Sequence, residues 1–235
     1  MKNSRFNRFS AASLATICLA MSVSFAPLGH ATVITWSSTA GSVTWATGTN
    51  WLLGTAPAND ITTDIALFNQ SSYAFKPNAG TTSINGIQIG SSSAALTLAG
   101  TALTVGSGGI TMAAGAVASS ITAPITLGAS QIWDNSSANK LTTGAVTGAF
   151  TLTKNGTGAI QFNGSVAGPV IVNAGTVYAN AANAFIGSLL TINNGGTVVS
   201  NTISGGNFSP LRINAGGIMT TADAVSYTHL TLPTN

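Results

Sequence analysis

Val172-Asn173-Ala174-Gly175-Thr176-Val177, Ile192-Asn193-Asn194-Gly195-Gly196-Thr197-Val198 and Ile213-Asn214-Ala215-Gly216-Gly217-Ile218 repeat one core, apolar-Asn-x-Gly, with Asn173, Asn193 and Asn214 spaced by 20 and then 21 residues. That length suits one coil of a β-solenoid built from about three short strands. Successive coils stack at ~4.8 Å, so a turn that recurs at a fixed spacing sits above its own copy and lines up Asn with Asn and Gly with Gly. A sandwich or barrel also uses short strands, but it does not require identical turns at one coil length.

The rest of the chain agrees with this reading. Ile87-Gln88-Ile89, Leu103-Thr104-Val105, Ile125-Thr126-Leu127, Phe150-Thr151-Leu152, Ile160-Gln161-Phe162 and Leu190-Thr191-Ile192 alternate apolar and polar residues, as half-buried strands do. Gly-rich turns such as Gly106-Ser107-Gly108-Gly109 and Asn155-Gly156-Thr157-Gly158 separate them. No segment after the first thirty or so residues carries capped helical periodicity. The expected fold is all-β, a right-handed parallel β-helix with a small Trp-rich N-terminal cap, and residues 81–224 have room for roughly seven coils at this stacking distance.

Both ends read differently from the middle. Lys2, Arg5 and Arg8 precede an apolar run over residues 11–25, and Gly29-His30-Ala31 offers small residues at the positions a signal peptidase reads, so residues 1–31 are expected to be a secretory signal. The run is too short, and too often broken by Ser, for the ~20 apolar residues of a membrane span. Residues 225–234, VSYTHLTLPT, back-translate to a sequence resembling the transposase mosaic-end adapter of sequencing libraries. Residues 225–235 are therefore expected to be non-native, with native sequence stopping near Asp223 or Ala224. This gives four segments: signal 1–31, Trp-rich cap 32–80, solenoid 81–224 and foreign tail 225–235.

Residues 32–224 contain no Glu, His or Cys, and Lys76, Lys140, Lys154 and Arg212 balance Asp60, Asp64, Asp134 and Asp223. The overall basic balance, a pI near 9.4, comes from the leader. A neutral rod offers no basic stripe for phosphate, so nucleic acid is not an expected partner. With 45% apolar and 5% charged residues, the chain lacks the signature of disorder. Stability has to come from burial and backbone pairing, because no disulfide is available.

The run Leu152-Thr153-Lys154-Asn155-Gly156-Thr157-Gly158-Ala159-Ile160-Gln161-Phe162-Asn163-Gly164, followed by Val170-Ile171-Val172-Asn173-Ala174-Gly175-Thr176-Val177, resembles the autotransporter-associated β-strand repeat, LTKxGxGxLxLxGxNxYxGxTxVxxGTL. It departs from that form at Ser165-Val166-Ala167-Gly168, where the Y-x-G element is shortened. Residues 103–133, with GGIT and PITLGASQIW, resemble the stretch that precedes the repeat in large exported proteins of this kind. Residues 45–51 and Asp64-Ile65-Ala66-Leu67-Phe68 resemble their beginning. The resemblance implies a β-helical passenger displayed at, or released from, a Gram-negative-type surface and anchored in the outer membrane only through a missing C-terminal region. It brings no catalytic residue.

Two function classes follow. One is a non-catalytic, adhesin-like surface rod whose Thr, Asn and Ser ladders make weak multivalent contacts with glycans or neighbouring cells. The other is a fragment of a β-helical polysaccharide-degrading enzyme, a class that works with clustered carboxylates, Ca²⁺ or a basic residue in a groove. Four scattered Asp favour the first. No catalytic, cofactor or metal-binding residue is expected, and nothing indicates a homo-oligomer. The candidate binding residues are Trp36, Trp45 and Trp51, which could stack on sugar rings or cover the first coil's open edge. Asp60 and Asp64 are expected in turns rather than at Ca²⁺, which takes six to eight oxygens. Lys154 is expected as a solvated edge charge that discourages lateral strand pairing. The fold expectation is checked by circular dichroism of residues 32–224: a β-type spectrum is expected, and helical minima would refute the solenoid.

Overall fold

The computed structural model describes residues 31–37, 43–181, 184–200 and 208–221. The expected signal, apart from its last residue, and the expected foreign tail lie outside the described residues. The described residues are all-β, with only two short 3-10 turns, Gly48–Asn50 and Leu52–Gly54.

Two strands open the fold, β1 (Thr32–Thr35) and β2 (Asp64–Phe68). Seven coils follow. The first holds β3 (Thr81–Ile89) and β4 (Thr97–Leu98), and the second β5 (Ala102–Met112) and β6 (Ser119–Ile121). The third holds β7 (Ile125–Leu127), β8 (Gln131–Asn135) and β9 (Leu141–Thr143); the fourth holds β10 (Val146–Thr147), β11 (Leu152–Asn155) and β12 (Ala159–Phe162). The last three hold β13 (Val170–Val172) with β14 (Gly175–Ala179), β15 (Phe185–Ile192) with β16 (Gly196–Ser200), and β17 (Phe208–Ile213) with β18 (Ile218–Thr221). One wall is a seven-stranded parallel sheet in the order β18-β16-β14-β12-β9-β6-β4, one strand per coil. The other is an eleven-stranded parallel sheet running from β1 through β2, β3, β5, β8, β11, β13 and β15 to β17, with β7 and β10 forming a side face beside β5. The solenoid is therefore the observed fold.

Alternation places the core. Leu152, Ile160, Phe162, Val170, Val172, Val177, Leu190, Ile192 and Val198 face inward and are buried, and their polar sequence neighbours face out. Trp133 packs on Phe162 at 5.9 Å between ring centroids, and Phe162 packs edge-on to Phe185 at 6.0 Å. These rings fill the middle of the rod, where interior packing density leaves little void.

The Trp-rich segment joins the sheet at the end of the first coil. Val33 lies in register with Ile65, and Ile65 with Gly86, so β1 and β2 extend the same sheet below the first coil. Trp36 and Trp51 meet edge-on at 5.0 Å, Trp45 and Trp51 at 4.8 Å, and all three lie about 6 Å from the Phe68 ring of β2. Edge-to-face pairs of this kind add to the burial of their large rings.

The repeated turn forms the ladder that its spacing implies. Asn173 Nδ2 donates to Asn155 Oδ1 at 3.0 Å, Asn193 Nδ2 to Asn173 Oδ1 at 2.7 Å, and Asn214 Nδ2 to Asn193 Oδ1. Gly175, Gly195 and Gly216 hold positive φ of 68°, 89° and 80°. A side chain would strain the backbone there, which explains why Gly follows Asn at a fixed interval. Asn193 both donates and accepts in this column, so Asn193→Leu removes two rungs at once. A loss of about 1–3 kcal/mol is expected, read by denaturant unfolding, and unchanged stability would mean the column carries no energy.

Candidate functional site

A groove of about 480 Å³ lies beside the Trp cluster. Thr35, Trp36, Ser37, Leu52 and residues 69–72 line it. Gln70 Nε2 donates to the Trp36 carbonyl at 3.0 Å, and Asn69 Oδ1 accepts the Ser92 N–H at 2.9 Å. None of the lining residues titrates near neutrality, so the groove can make hydrogen bonds and apolar contacts but holds no proton donor or acceptor for acid–base chemistry. Its rim is a local oddity. Leu53 adopts φ of 70°, uncommon for a bulky residue, and is 93% exposed next to the exposed Leu52.

Trp36, Trp45 and Trp51, the candidates for sugar stacking, are at most 2% exposed. Trp51 Nε1 donates to the Trp45 carbonyl at 2.6 Å. The indole N–H groups of Trp36 and Trp45 are buried without a hydrogen-bond partner among the described residues. A ring must present a free face to stack on a sugar, and these rings spend their faces on one another and on Phe68. The sequence brings them together in space but does not open them to a ligand.

The carboxylates act within turns and strands. Asp60 Oδ1 accepts the N–H groups of Thr62 and Thr63 at 2.7 and 2.8 Å, and its Oδ2 takes the Thr63 hydroxyl at 2.8 Å. These bonds stabilise the charged form and hold its pKa at about 2, with the Thr62 N–H contributing most. Asp64 is buried and accepts the Ala58 N–H at 2.7 Å. Asp134, on the outer face of β8, accepts the Ser136 hydroxyl at 2.7 Å. Among the described residues no three His, Cys, Asp or Glu lie close enough to share a metal ion.

Lys154 is the main correction to the sequence reading. It is 1% exposed, not a solvated edge charge. Its position on β11 aligns with Trp133 of the coil before and Val172 of the coil after, which is a core column. The side chain runs through that column to a corner, where Nζ donates to the carbonyls of Asn155 at 2.6 Å, Gly156 at 2.7 Å and Ala174 at 3.0 Å. Three carbonyls match the three donors of an ammonium. The Ala174 carbonyl belongs to the following coil, so the cage links two coils. Sequence pattern misses this because alternation assigns Lys154 to the inside, where a charge is normally too costly, and its third partner, the Ala174 carbonyl, is set by the stacking.

Two further buried polar positions were not singled out in the sequence. Gln131 Nε2 donates to the Val105 carbonyl at 3.0 Å while its Oε1 accepts Trp133 Nε1 at 2.8 Å. Asn135 Nδ2 bridges the carbonyls of Asn139 and Ala159 at 2.8 and 2.7 Å. Both satisfy corner groups between coils, as buried polar atoms in a well-formed interior must be.

No family model, curated protein or solved structure matches this chain.

Burial draws the pKa of Lys154 from 10.5 to about 8, against the opposing pull of the Asp134 charge. The unfolded chain therefore binds more protons than the folded one between those values, and the contribution of this group to stability rises with pH across that window. Thermal unfolding of the parent and of Lys154→Met is expected to diverge in the parent's favour from about pH 7.5 to about pH 9.5. Parallel melting curves over that range would place the ammonium in a solvated environment.

Proposed function

We propose that this chain is an exported, non-catalytic surface rod, a β-helical passenger of the autotransporter-associated repeat type that makes weak, repeated contacts with glycans or neighbouring cell surfaces. The observation that carries the reading is the use to which the solenoid puts its few ionisable groups. Asp60 and Asp64 close turns, Asp134 sits on an outer face with Ser136, and Lys154 is enclosed by carbonyls. The three carboxylates bond to neighbours within six residues and the ammonium links two coils, so each is occupied by the fold. The groove beside the Trp cluster is lined by hydroxyl and amide groups, which suits hydrogen bonding to a neutral or polyhydroxylated surface.

The repeat architecture suits this role. A coil that recurs every 20 or 21 residues presents outward side chains at a regular rise, so individually weak contacts add along the rod. The repeat resemblance and the leader reading supply the route to the cell surface.

The test is a paired assay of the purified chain. Reversible retention on glycans or whole cells is expected, without turnover of polysaccharide or peptide substrates, with or without Ca²⁺. Hydrolysis or lyase activity that disappears in the Asp60→Ala, Asp64→Ala double variant would overturn the reading and make the Trp-rich segment the active region.

A further inference from the structure

The outer face of the seven-stranded sheet carries a connected group of side chains from three successive coils. Lys140, just before β9, reaches over β12 and β14. Its Nζ donates to Gln161 Oε1 at 2.7 Å and lies 4.6 Å from the centroid of the Tyr178 ring. Gln161 Nε2 donates to Asn163 Oδ1 at 2.8 Å, and Asn180 Nδ2 donates to the same oxygen at 3.1 Å.

The direction of these bonds decides what the face can bind. An ammonium only donates, so Gln161 must turn its oxygen towards Lys140 and its nitrogen towards Asn163. Asn163 must then present its oxygen inward, where it accepts twice, and its two N–H donors outward. Asn163 is exposed, and that NH₂ has no partner among the described residues. Lys140 keeps N–H donors beyond the one given to Gln161, and the Tyr178 hydroxyl has no partner among the described residues. The amide oxygens of Gln161 and Asn163 are thus used within the group, and N–H donors of Lys140 and Asn163 are left for a ligand. The face is also positive: the described carboxylates, Asp60, Asp64 and Asp134, belong to β2, the loop before it and β8, on the other sheet.

We infer that this face, centred on Lys140, Asn163 and Tyr178, is a binding site for a carboxylate-bearing polysaccharide strand such as a polyuronate. A uronate carboxylate supplies acceptors for the free N–H donors of Lys140 and Asn163, and a charge-assisted bond from an ammonium is about twice as strong as a neutral one. The donors come from coils stacked at ~4.8 Å, so an extended polymer lying along the rod axis meets them in succession. A neutral glucan offers hydroxyls but no charge and has no comparable claim on Lys140. The inference rests on the surface-rod reading and assigns its ligand class.

The test titrates the purified chain with polygalacturonate and, separately, with dextran, at low salt and at about 0.5 M salt, where an exposed charge is screened. Binding of polygalacturonate but not dextran is expected, weakened by salt. Lys140→Gln removes the charge, and Asn163→Asp replaces outward donors with a carboxylate. Each variant is expected to bind polygalacturonate at least about tenfold more weakly, with melting unchanged from the parent. Equal binding of both polymers, no binding of polygalacturonate, or parental affinity in both variants would overturn the site. Retention of both variants on other glycans or on cells would leave the surface-rod reading standing without this site. Failure of the parent to bind any glycan or cell would remove that reading as well.

Discussion

Parallel pairing between coils requires the chain to return, after each circuit, to a point one strand spacing above where it left and running in the same direction. Every corner must therefore be compatible with a copy of itself directly overhead. This constraint selects small residues and side chains that can bond to their own kind. An amide carries both donors and an acceptor, so Asn can accept from the coil above while donating to the coil below. The column Asn155, Asn173, Asn193 and Asn214 does this, and the Gly that follows the repeated Asn admits the left-handed backbone that turns the strand away. A carboxylate in every rung would repel itself, and an aliphatic side chain would leave corner carbonyls without partners.

Where the repeat drifts, other side chains meet the same demand by different chemistry. Lys154 closes its corner with an ammonium across two coils, Asn135 bridges two carbonyls, and Gln131 ties a strand to the carbonyl of an earlier coil. Each leaves no buried group in its corner unpaired, which matters because an orphaned polar atom costs about 1–3 kcal/mol. The charged solution is the most expensive to build, since burial alone pulls Lys154 well below its usual pKa. Its three-carbonyl cage offsets part of that cost and makes the side chain specific to this one corner.

The parts of this fold legible from sequence are those that depend on local pattern. Alternation marked Leu152, Ile160 and Val170 as inward, and the Asn-x-Gly spacing fixed both the coil length and the ladder. The parts that were not legible depend on what lies one coil away. Lys154 reads as a surface residue because its partner Ala174 is 20 residues downstream. Trp36, Trp45 and Trp51 admit a platform as well as a plug in the sequence, because composition does not reveal that Phe68 lies beneath all three. The boundary at residue 80 follows a change in composition, whereas the sheet is continuous because β2 can pair with β3 whatever surrounds it.

The same one-coil reach governs the outer surface. A side chain on a solenoid wall has near neighbours above and below as well as along its own strand, so polar residues on the wall bond to each other before they bond to a ligand. The direction of those bonds then sets the character of the surface. A single ammonium at Lys140 orients Gln161, which orients Asn163, and the wall facing solvent becomes donor-rich although amides are neutral and carry both functions. Composition alone would describe that wall as amides and hydroxyls around one ammonium. The polarity that a partner meets is fixed by which end of each amide the neighbouring coil has already used.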